Sequence, residues 1–302
     1  TVLATGAPVI VAPAMDARMF ENPATRANLA TLRERGLHVA GPASGRMASG
    51  LTGVGRMVEP EELVGHAHLV LGRAGDLAGR RLVVTAGGTE EPIDPVRVIT
   101  NRSSGKMGFA IAEAARDRGA DVTLITARST QPEPVGVSVV RAASARAMAD
   151  VVREAAKQAD AVVMAAAVSD WTPAAPSTTK LKKGAAGGLS LELERTEDVI
   201  ASVEGPRLVK VGFALETEEL ERNARAKLAA KGLDLIVAND ALQQDAGMGE
   251  DENRVVIIGR DGEAQQVPTM SKYEVGHRIL DRVTRLIGER GGRSAGELIE
   301  HG

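Results

Sequence analysis

The fold of this chain is decided by residues Arg81–Ala120, RLVVTAGGTEEPIDPVRVITNRSSGKMGFAIAEAARDRGA. The apolar run Leu82–Thr85 predicts a strand, which ends abruptly at the turn residues Gly87-Gly88. Further along, Phe109–Arg118 has the alanine and isoleucine spacing of a helix packed on a sheet, and Gly119 is placed to end it. A strand, a glycine turn, a hydroxyl-rich loop and a helix N-terminus together predict an anion site, because free backbone N–H groups and the helix dipole face one point.

Strands and helices alternate along the rest of the chain. Predicted strands lie at Val122–Thr126, Val137–Arg141, Ala161–Ala167, Leu189–Leu193, Leu208–Leu215 and Leu233–Ala238, and predicted helices at Ser144–Gln158, Glu218–Lys231 and Ser271–Ile287. Asp261-Gly262 separates two more apolar runs, which is a hairpin signal. The pattern predicts an α/β fold, a Rossmann-like doubly wound sheet that is mostly parallel, with helices on both faces and a C-terminal hairpin. In such sheets ligands bind at the carboxyl ends of the strands.

The composition narrows the class of protein. Of 302 residues, 43% are hydrophobic and 25% are charged, which is typical of a globular protein with room for two domains. A net charge of -3 gives no reason to expect nucleic acid or an anionic membrane as a partner. The absence of cysteine excludes disulfides, thiolate metal sites and a cysteine nucleophile. No apolar run is long enough to span a bilayer, so we expect a cytoplasmic location.

The glycine-rich loop by itself leaves several functions open. It lacks the G-x-G-x-x-G and Walker patterns, so a dinucleotide-dependent oxidoreductase on a Rossmann-like sheet fits poorly but remains an alternative. A turn without a ligand is the simplest interpretation of an isolated glycine pair. The density of polar residues between Thr89 and Lys106 makes a binding loop the better interpretation.

The same residues carry a resemblance to a known family. GGTEEPIDPVRVITNRSSGKMGFAIA resembles the signature of the bacterial phosphopantothenate–cysteine ligase, the ligase half of a bifunctional coenzyme A biosynthesis protein. The resemblance continues to about Arg285. It implies CTP-dependent ligation of 4'-phosphopantothenate with L-cysteine through an acyl-cytidylate, with release of CMP and pyrophosphate.

The resemblance also implies roles for individual residues. As catalytic residues it gives Asn101 and Lys180. As substrate-binding residues it gives Arg97, Asn101, Ser103, Ser104, Gly105, Lys106 and Ala166. For CTP it gives Gly87, Gly88, Thr89, Ala166, Ala167, Val168, Asp170, Lys180, Glu197, Asp198, Val199, Ile200, Phe213, Lys227 and Lys231. Family members usually have Asn-Pro where this chain has Thr196-Glu197, and Thr196 is placed as the N-cap of a short helix.

Three further expectations concern a lid, a metal ion and the oligomeric state. The segment Thr172–Gly188 is too long for a plain connector, and its lysines suit a lid that closes on phosphates. Mg²⁺ is expected on the triphosphate, although no carboxylate cluster marks its protein ligands. The resemblance further implies a homodimer formed through the ligase domain.

The first part of the chain resembles the decarboxylase half of the same family, which is an FMN protein. Asp16 stands where that family usually has asparagine, and Ser49 stands where many members have a catalytic cysteine. A serine hydroxyl cannot replace a thiolate without an activating base. We therefore expect a partial, degenerate segment without decarboxylase activity, or a non-catalytic subunit, with FMN bound only if the other half is supplied elsewhere. The predicted domains are 1–76, 77–291 and a flexible tail at 292–302.

Overall fold

A computed structural model describes residues 2–47, 50–182, 189–216, 219–240 and 249–297. The chain divides into two compact units. One comprises Thr1–Gly75 with Pro134–Gly136, and the other comprises Asp76–Glu133 with Val137–Gly302.

The first unit is a small α/β arrangement. Its elements are a 3-10 turn at Val2–Ala4, β1 (Ile10–Val11), α1 (Ala17–Glu21), α2 (Pro23–Glu34), β2 (His38–Val39), β3 (Ala43–Arg46), β4 (Thr52–Arg56) and α3 (Pro60–Gly72). Strands β1 and β2 pair in parallel, and β3 and β4 form an antiparallel ribbon. The sequence predicts a strand at Ala7–Ala12, a helix at Pro23–Arg35 and a strand at Leu37–Ala40, and these correspond to β1, α2 and β2. No sequence signal marks the ribbon, whose strands contain Gly45, Gly53 and Gly55.

The second unit is built on one sheet of eight strands. The strands are β5 (Arg81–Ala86), β8 (Asp121–Thr126), β9 (Ser138–Arg141), β10 (Ala161–Met164), β13 (Val209–Glu216), β14 (Leu235–Asp240), β15 (Glu252–Gly259) and β16 (Ala264–Ser271). Their spatial order is β16-β15-β14-β13-β10-β5-β8-β9. Pairing is parallel from β9 to β14, and the C-terminal hairpin β15–β16 joins antiparallel to β14. The predicted α/β fold with a mostly parallel sheet is confirmed.

The strand order changes direction between β5 and β10. From β5 the chain winds outward through β8 to β9, and then returns to β10 on the other side of β5. In open α/β sheets the crevice outside the carboxyl ends of the strands at this reversal is the usual place for a ligand. The loop that follows β5 and the turn that follows β10 meet at this point.

Helices cover both faces of the sheet. They are α4 (Lys106–Asp117), α5 (Ala145–Ala156), α6 (Leu220–Ala230) and α7 (Lys272–Glu297). Successive residues of β5 point to opposite faces, so Leu82 and Val84 pack with α4 and α7, whereas Val83 packs with α5 and α6. Both faces of the sheet are therefore covered by helices, which explains why the strand sequences are almost continuously apolar.

Two short antiparallel ribbons lie outside the main sheet. One is formed by β6 (Glu90–Pro92) and β7 (Val98–Thr100), and the other by β11 (Trp171–Pro173) and β12 (Leu193–Arg195). The sequence predicted a strand at Leu189–Leu193, whereas pairing with β11 places it at β12. The predicted closing helix, Ser271–Ile287, continues as α7 to Glu297, into the segment expected to be a tail.

Two predictions at the site-forming end of the sheet are wrong. The strand predicted at Ala161–Ala167 ends at Met164, because the next residues turn toward the β5 loop: the N–H of Ala166 donates to Thr85 Oγ1 at 3.0 Å. Thr196 does not cap a helix. Its hydroxyl donates to the Ser169 carbonyl at 2.5 Å, and the residues that follow form turns.

Candidate functional site

The loop after β5 packs closely against neighbouring backbone segments, because its two glycines have no side chain. Gly87 has φ +82°, and a Cβ there would lie 2.8 Å from the Arg128 carbonyl oxygen. A Cβ on Gly88 would lie 2.6 Å from the Asn101 carbonyl oxygen. Thr89 is fully buried, and its hydroxyl oxygen accepts the Ser169 N–H at 2.9 Å. The predicted nucleotide loop is therefore a close-packed backbone crossing that only glycine permits.

Asn101 joins the β5 loop region to the turn after β10. Its side-chain amide donates to the carbonyl oxygens of Ala167 at 3.3 Å and Val168 at 3.1 Å. The side chain is exposed at the mouth of a large cavity, although its N–H groups are directed to these backbone acceptors. Asn101 thus fixes the position of the turn that three predicted nucleotide-binding residues share.

A cavity of about 830 Å³ opens at the carboxyl ends of β10 and β13. Nearly all of the predicted CTP residues beyond the β5 loop line it, together with Asn101: Ala166, Ala167, Val168, Asp170, Glu197, Asp198, Val199, Ile200, Phe213, Lys227 and Lys231. Its apolar floor comes from Met164, Val199 and Ile236, and its rim is charged. Volume and lining suit an elongated polar molecule with one flat apolar part.

Two of the three lysines predicted for CTP line this cavity, and they come from α6 and the residue that ends it. Lys231 Nζ lies 2.9 Å from a carboxylate oxygen of Asp198, and Lys227 lines the same wall one turn earlier. Glu197, by contrast, is directed to Arg153 at 2.7 Å. Arg195, which no sequence motif marks, also lines this cavity, and its guanidinium carbon lies 5.7 Å from the centre of the exposed Trp171 ring.

A second, smaller cavity of about 190 Å³ shares a wall with the first. Ala166, Ala167, Phe213 and Leu215 line both cavities. The start of α4 forms the opposite side of the smaller one, with the predicted substrate residues Ser103, Ser104, Gly105 and Lys106. Gly105 caps this helix with φ +78°, which leaves the first backbone N–H groups of α4 at the cavity.

Lysines dominate the charge of the smaller cavity. Lys106 Nζ donates to the Gly249 carbonyl at 2.8 Å and forms an ion pair with Asp251 at 2.7 Å. Lys272, which the sequence analysis missed, is buried and donates to the carbonyls of Glu250 and Glu252. Burial, and secondly the nearby Lys106 charge, lower the pKa of Lys272 below its usual value. No local motif marks Lys272, because it lies at the start of α7, far along the chain from α4.

Five predicted site residues line neither of these two cavities: Gly87, Gly88 and Thr89 in the loop after β5, Arg97, and Lys180. Arg97 pairs with the buried Asp94, and Lys180 lies exposed in the segment before β12. Ser49 lies outside the described residues, as does the basic residue Lys183. Asp16 caps α1, where its carboxylate accepts the Arg18 N–H at 3.0 Å.

The described ranges contain no group of three or more acidic, histidine or cysteine side chains that could hold a metal ion. These residues therefore do not form a Mg²⁺ site by themselves, and a divalent ion would be coordinated mainly by phosphate oxygens and water. Among the described residues there is also no helix long and apolar enough to cross a membrane.

Comparison with known proteins assigns both parts of the chain. Residues 77–287 match the DNA/pantothenate metabolism flavoprotein C-terminal domain, and residues 1–70 match the flavoprotein family. The coenzyme A biosynthesis bifunctional protein CoaBC of Bacillus subtilis (strain 168) is 42% identical over 299 residues, which cover 97% of this chain and 73% of the relative. The match over residues 1–70 corrects the prediction of a degenerate remnant, because the segment retains the flavoprotein pattern.

Solved structures agree with this assignment. The C-terminal domain of a coenzyme A biosynthesis bifunctional protein CoaBC aligns with a TM-score of 0.61 at 35% identity, covering 71% of this chain and 99% of that one. A Cab2 mutant in complex with phosphopantothenate-cysteine aligns with a TM-score of 0.60 at 17% identity, covering 78% of this chain and 95% of that one, which is a likeness of fold. The chain therefore belongs to the family of bifunctional coenzyme A biosynthesis proteins, with a flavoprotein segment followed by a ligase-type domain.

Proposed function

We propose that the second unit ligates 4'-phosphopantothenate to L-cysteine at the expense of CTP, through an acyl-cytidylate. The observation that carries this proposal is the pair of cavities with a common wall at the strand-order reversal. A reaction between two anionic molecules needs two adjacent sites, each with its own positive charge, and a point where the reacting groups meet. The larger cavity has Lys227 and Lys231, and the smaller has Lys106 and Lys272.

The larger cavity is proposed as the CTP site. Phe213 offers a flat apolar surface for a base, and Asp170 supplies a hydrogen-bond acceptor on the rim. The two α6 cations are placed to offset triphosphate charge, and the Lys231–Asp198 ion pair would exchange its carboxylate for a phosphate oxygen. Mg²⁺ enters this proposal only as an ion carried by the nucleotide.

The smaller cavity is proposed as the phosphopantothenate site. Its wall at the start of α4 presents backbone N–H groups and hydroxyls, which suit the terminal phosphate. The carboxylate end of the substrate would then approach the shared wall near Ala166. Asn101 holds the adjoining turn, and we propose that it thereby stabilises the acyl-cytidylate and orients the incoming amine. An amide does not titrate, so it is not a general base.

The decisive measurement is pyrophosphate release with CTP or ATP, with and without cysteine. We expect one equivalent to be released with CTP and phosphopantothenate alone, and continuous release only when cysteine is present. Lys227→Ala should raise the KM for CTP, whereas the matched control Lys157→Ala, at an exposed lysine that ends α5, should leave it unchanged. Release that is independent of phosphopantothenate would refute the ligase proposal.

We also propose that this unit forms a homodimer. The two small ribbons and the residues next to them expose apolar side chains in the described part of the chain, namely Val96, Val98, Trp171, Leu191 and Leu193. Exposed apolar patches commonly mark protein–protein interfaces. Sedimentation equilibrium of the wild type and of Val98→Glu tests this, and a wild-type monomer at micromolar concentration would contradict it.

For residues 1–70 we propose a contribution to a flavin-binding decarboxylase, because the family match supports it. The described residues of this segment contain no buried side-chain nitrogen or oxygen atom that lacks a hydrogen-bond partner, so no such atom marks a flavin site among them. Ser49 and Asp16 are then the residues that limit decarboxylation. Absorbance near the flavin maximum, together with carbon dioxide release by the wild type and by Ser49→Cys, tests this proposal. Equal rates in the two proteins would remove Ser49 from the reaction.

A further inference from the structure

A buried carboxylate in the turn between β6 and β7 is held by an unusually large number of donors. Asp94 Oδ1 accepts the N–H groups of Val96 at 2.8 Å and Arg97 at 2.9 Å. Asp94 Oδ2 accepts the Arg97 Nε at 2.9 Å and Nη2 at 2.5 Å. The side chain of Asp94 is 0% exposed. The Arg97 guanidinium, helped by the backbone donors, holds the pKa of this carboxyl well below its usual range.

The same ion pair also binds a segment far away in the chain. The Leu181 N–H donates to Asp94 Oδ2 at 3.1 Å, and Arg97 Nη2 donates to the Leu181 carbonyl oxygen at 2.8 Å. A few residues earlier, the Ser177 N–H donates to the Ile93 carbonyl at 2.9 Å. Both polar backbone groups of Leu181 are thus satisfied by one charged pair, independently of the leucine side chain.

The bound residue lies between two of the lysines of this segment. Lys180 and Lys182 flank Leu181 directly, and both are exposed. The backbone there belongs to no helix or strand, so regular secondary structure does not determine where these cations lie. The bidentate guanidinium and the desolvated carboxylate hold their hydrogen-bonding atoms in fixed positions. An irregular backbone segment does not fix its own position, so the ion pair determines where Leu181 lies.

We propose that Asp94 is a positioning residue, which together with Arg97 clamps the segment 177–182 by its backbone at Leu181 and so fixes the origin of Lys180 and Lys182. Arg97 is then assigned to the clamp. That the two lysines act on the triphosphate rests on the proposed ligase function. The clamp itself does not, because it is defined by contacts within this chain.

Trypsin tests the clamp directly, because it cleaves after Lys180 and Lys182. In the full chain without nucleotide, Asp94→Asn should increase the rate of cleavage at these bonds by about tenfold, since it weakens charge-assisted hydrogen bonds to Leu181. The control is Asp160→Asn. Asp160 also binds an arginine side chain and a backbone N–H, Arg80 at 3.2 Å and Arg81 at 2.8 Å, but it lies next to the first residues of β5 and β10, away from the turn between β6 and β7.

A second pair of variants leaves the buried ion pair intact. Leu181→Pro removes the N–H that Asp94 accepts, and Leu181→Ala keeps it. Because trypsin does not cleave a Lys–Pro bond, this pair is compared by cleavage after Lys182 alone, where we expect faster cleavage for the proline variant than for the alanine variant. If Asp94→Asn folds poorly, the comparison of Leu181→Pro with Leu181→Ala still decides whether the ion pair holds this segment. Cleavage of both Asp94→Asn and Leu181→Pro at the rate of their controls would overturn the clamp.

Steady-state kinetics then separates the clamp from the ligase proposal. Asp94→Asn should raise the KM for CTP by about tenfold and leave the KM for phosphopantothenate unchanged, a split that general loss of stability does not produce. Faster cleavage with an unchanged KM for CTP would keep the clamp and overturn the role of the lysines. A wild-type protein that does not turn over CTP would refute the ligase proposal, while the cleavage rates still decide the clamp.

Discussion

Replacement of Asn101 by aspartate is the sharpest test of the proposed site. The amide of Asn101 donates to two backbone carbonyls, Ala167 and Val168, at 3.3 and 3.1 Å. Aspartate has nearly the same shape but no donors, so Asn101→Asp loses both hydrogen bonds and sets a carboxylate against two carbonyl oxygens. At about 1 kcal/mol for each neutral hydrogen bond, the free energy of unfolding should fall by about 2 kcal/mol. The melting temperature should then fall by roughly 4–8 °C.

The effect on the reaction should be larger than the effect on stability. A carboxylate about 4 Å from the charge of the acyl-cytidylate is repelled by about 4 kcal/mol at an effective dielectric of about 20. Expressed wholly in the barrier, this slows the reaction by roughly a thousandfold. If Asn101 orients the amine, the second half-reaction suffers most and the intermediate accumulates. Rapid-quench analysis with labelled CTP follows both half-reactions, and thermal melts follow the fold.

Asn101→Ala is the matched control. It removes the same two hydrogen bonds without adding charge, so it should lower the melting temperature similarly but slow the reaction far less. The difference in rate between the two variants isolates the electrostatic effect from the structural one. Wild-type turnover by Asn101→Asp would remove Asn101 from the site. Equal rates for the two variants would leave it only the structural role of holding the turn after β10.

Three further outcomes are expected. CTP should slow tryptic cleavage after Lys180 if the lysine-bearing segment closes on the triphosphate, and equal rates with and without CTP would contradict this. Gly108→Ala should destabilise the second unit by about 1–3 kcal/mol in denaturant unfolding, because its Cβ would lie 2.5 Å from the Thr85 carbonyl oxygen. Gly276→Ala, with nearest contacts at 3.3 Å, is its control and should cost less. Asp16→Ala should destabilise the first unit by about 1 kcal/mol and Asp16→Asn by much less, because asparagine caps helices as well as aspartate does; equal melting temperatures for the two variants would contradict this.

The sequence determined the class of fold because its signals are local. Apolar runs the length of strands, glycine stops and the Asp261-Gly262 turn each depend on a few neighbouring residues, and alternation of strands with helices follows from them. Ser144, the first residue of a predicted helix, caps α5, with its hydroxyl oxygen accepting the Ala147 N–H at 3.2 Å. Side chains such as Lys227 and Lys231 were likewise placed by helical spacing and by the family resemblance.

Only the tertiary structure decided how these elements meet. Strand β10 stops at Met164 because the Thr85 hydroxyl, on a neighbouring strand, binds the backbone beyond it. Lys272 reaches the smaller cavity from the start of the last helix, and Arg97 is bound to Asp94 and to Leu181. Apart from the pair Asp94 and Arg97, each of these contacts joins residues far apart in the chain, and its free energy depends on burial and exact distance. A linear pattern indicates which residue types are present, whereas burial and distance exist only once the sheet has formed.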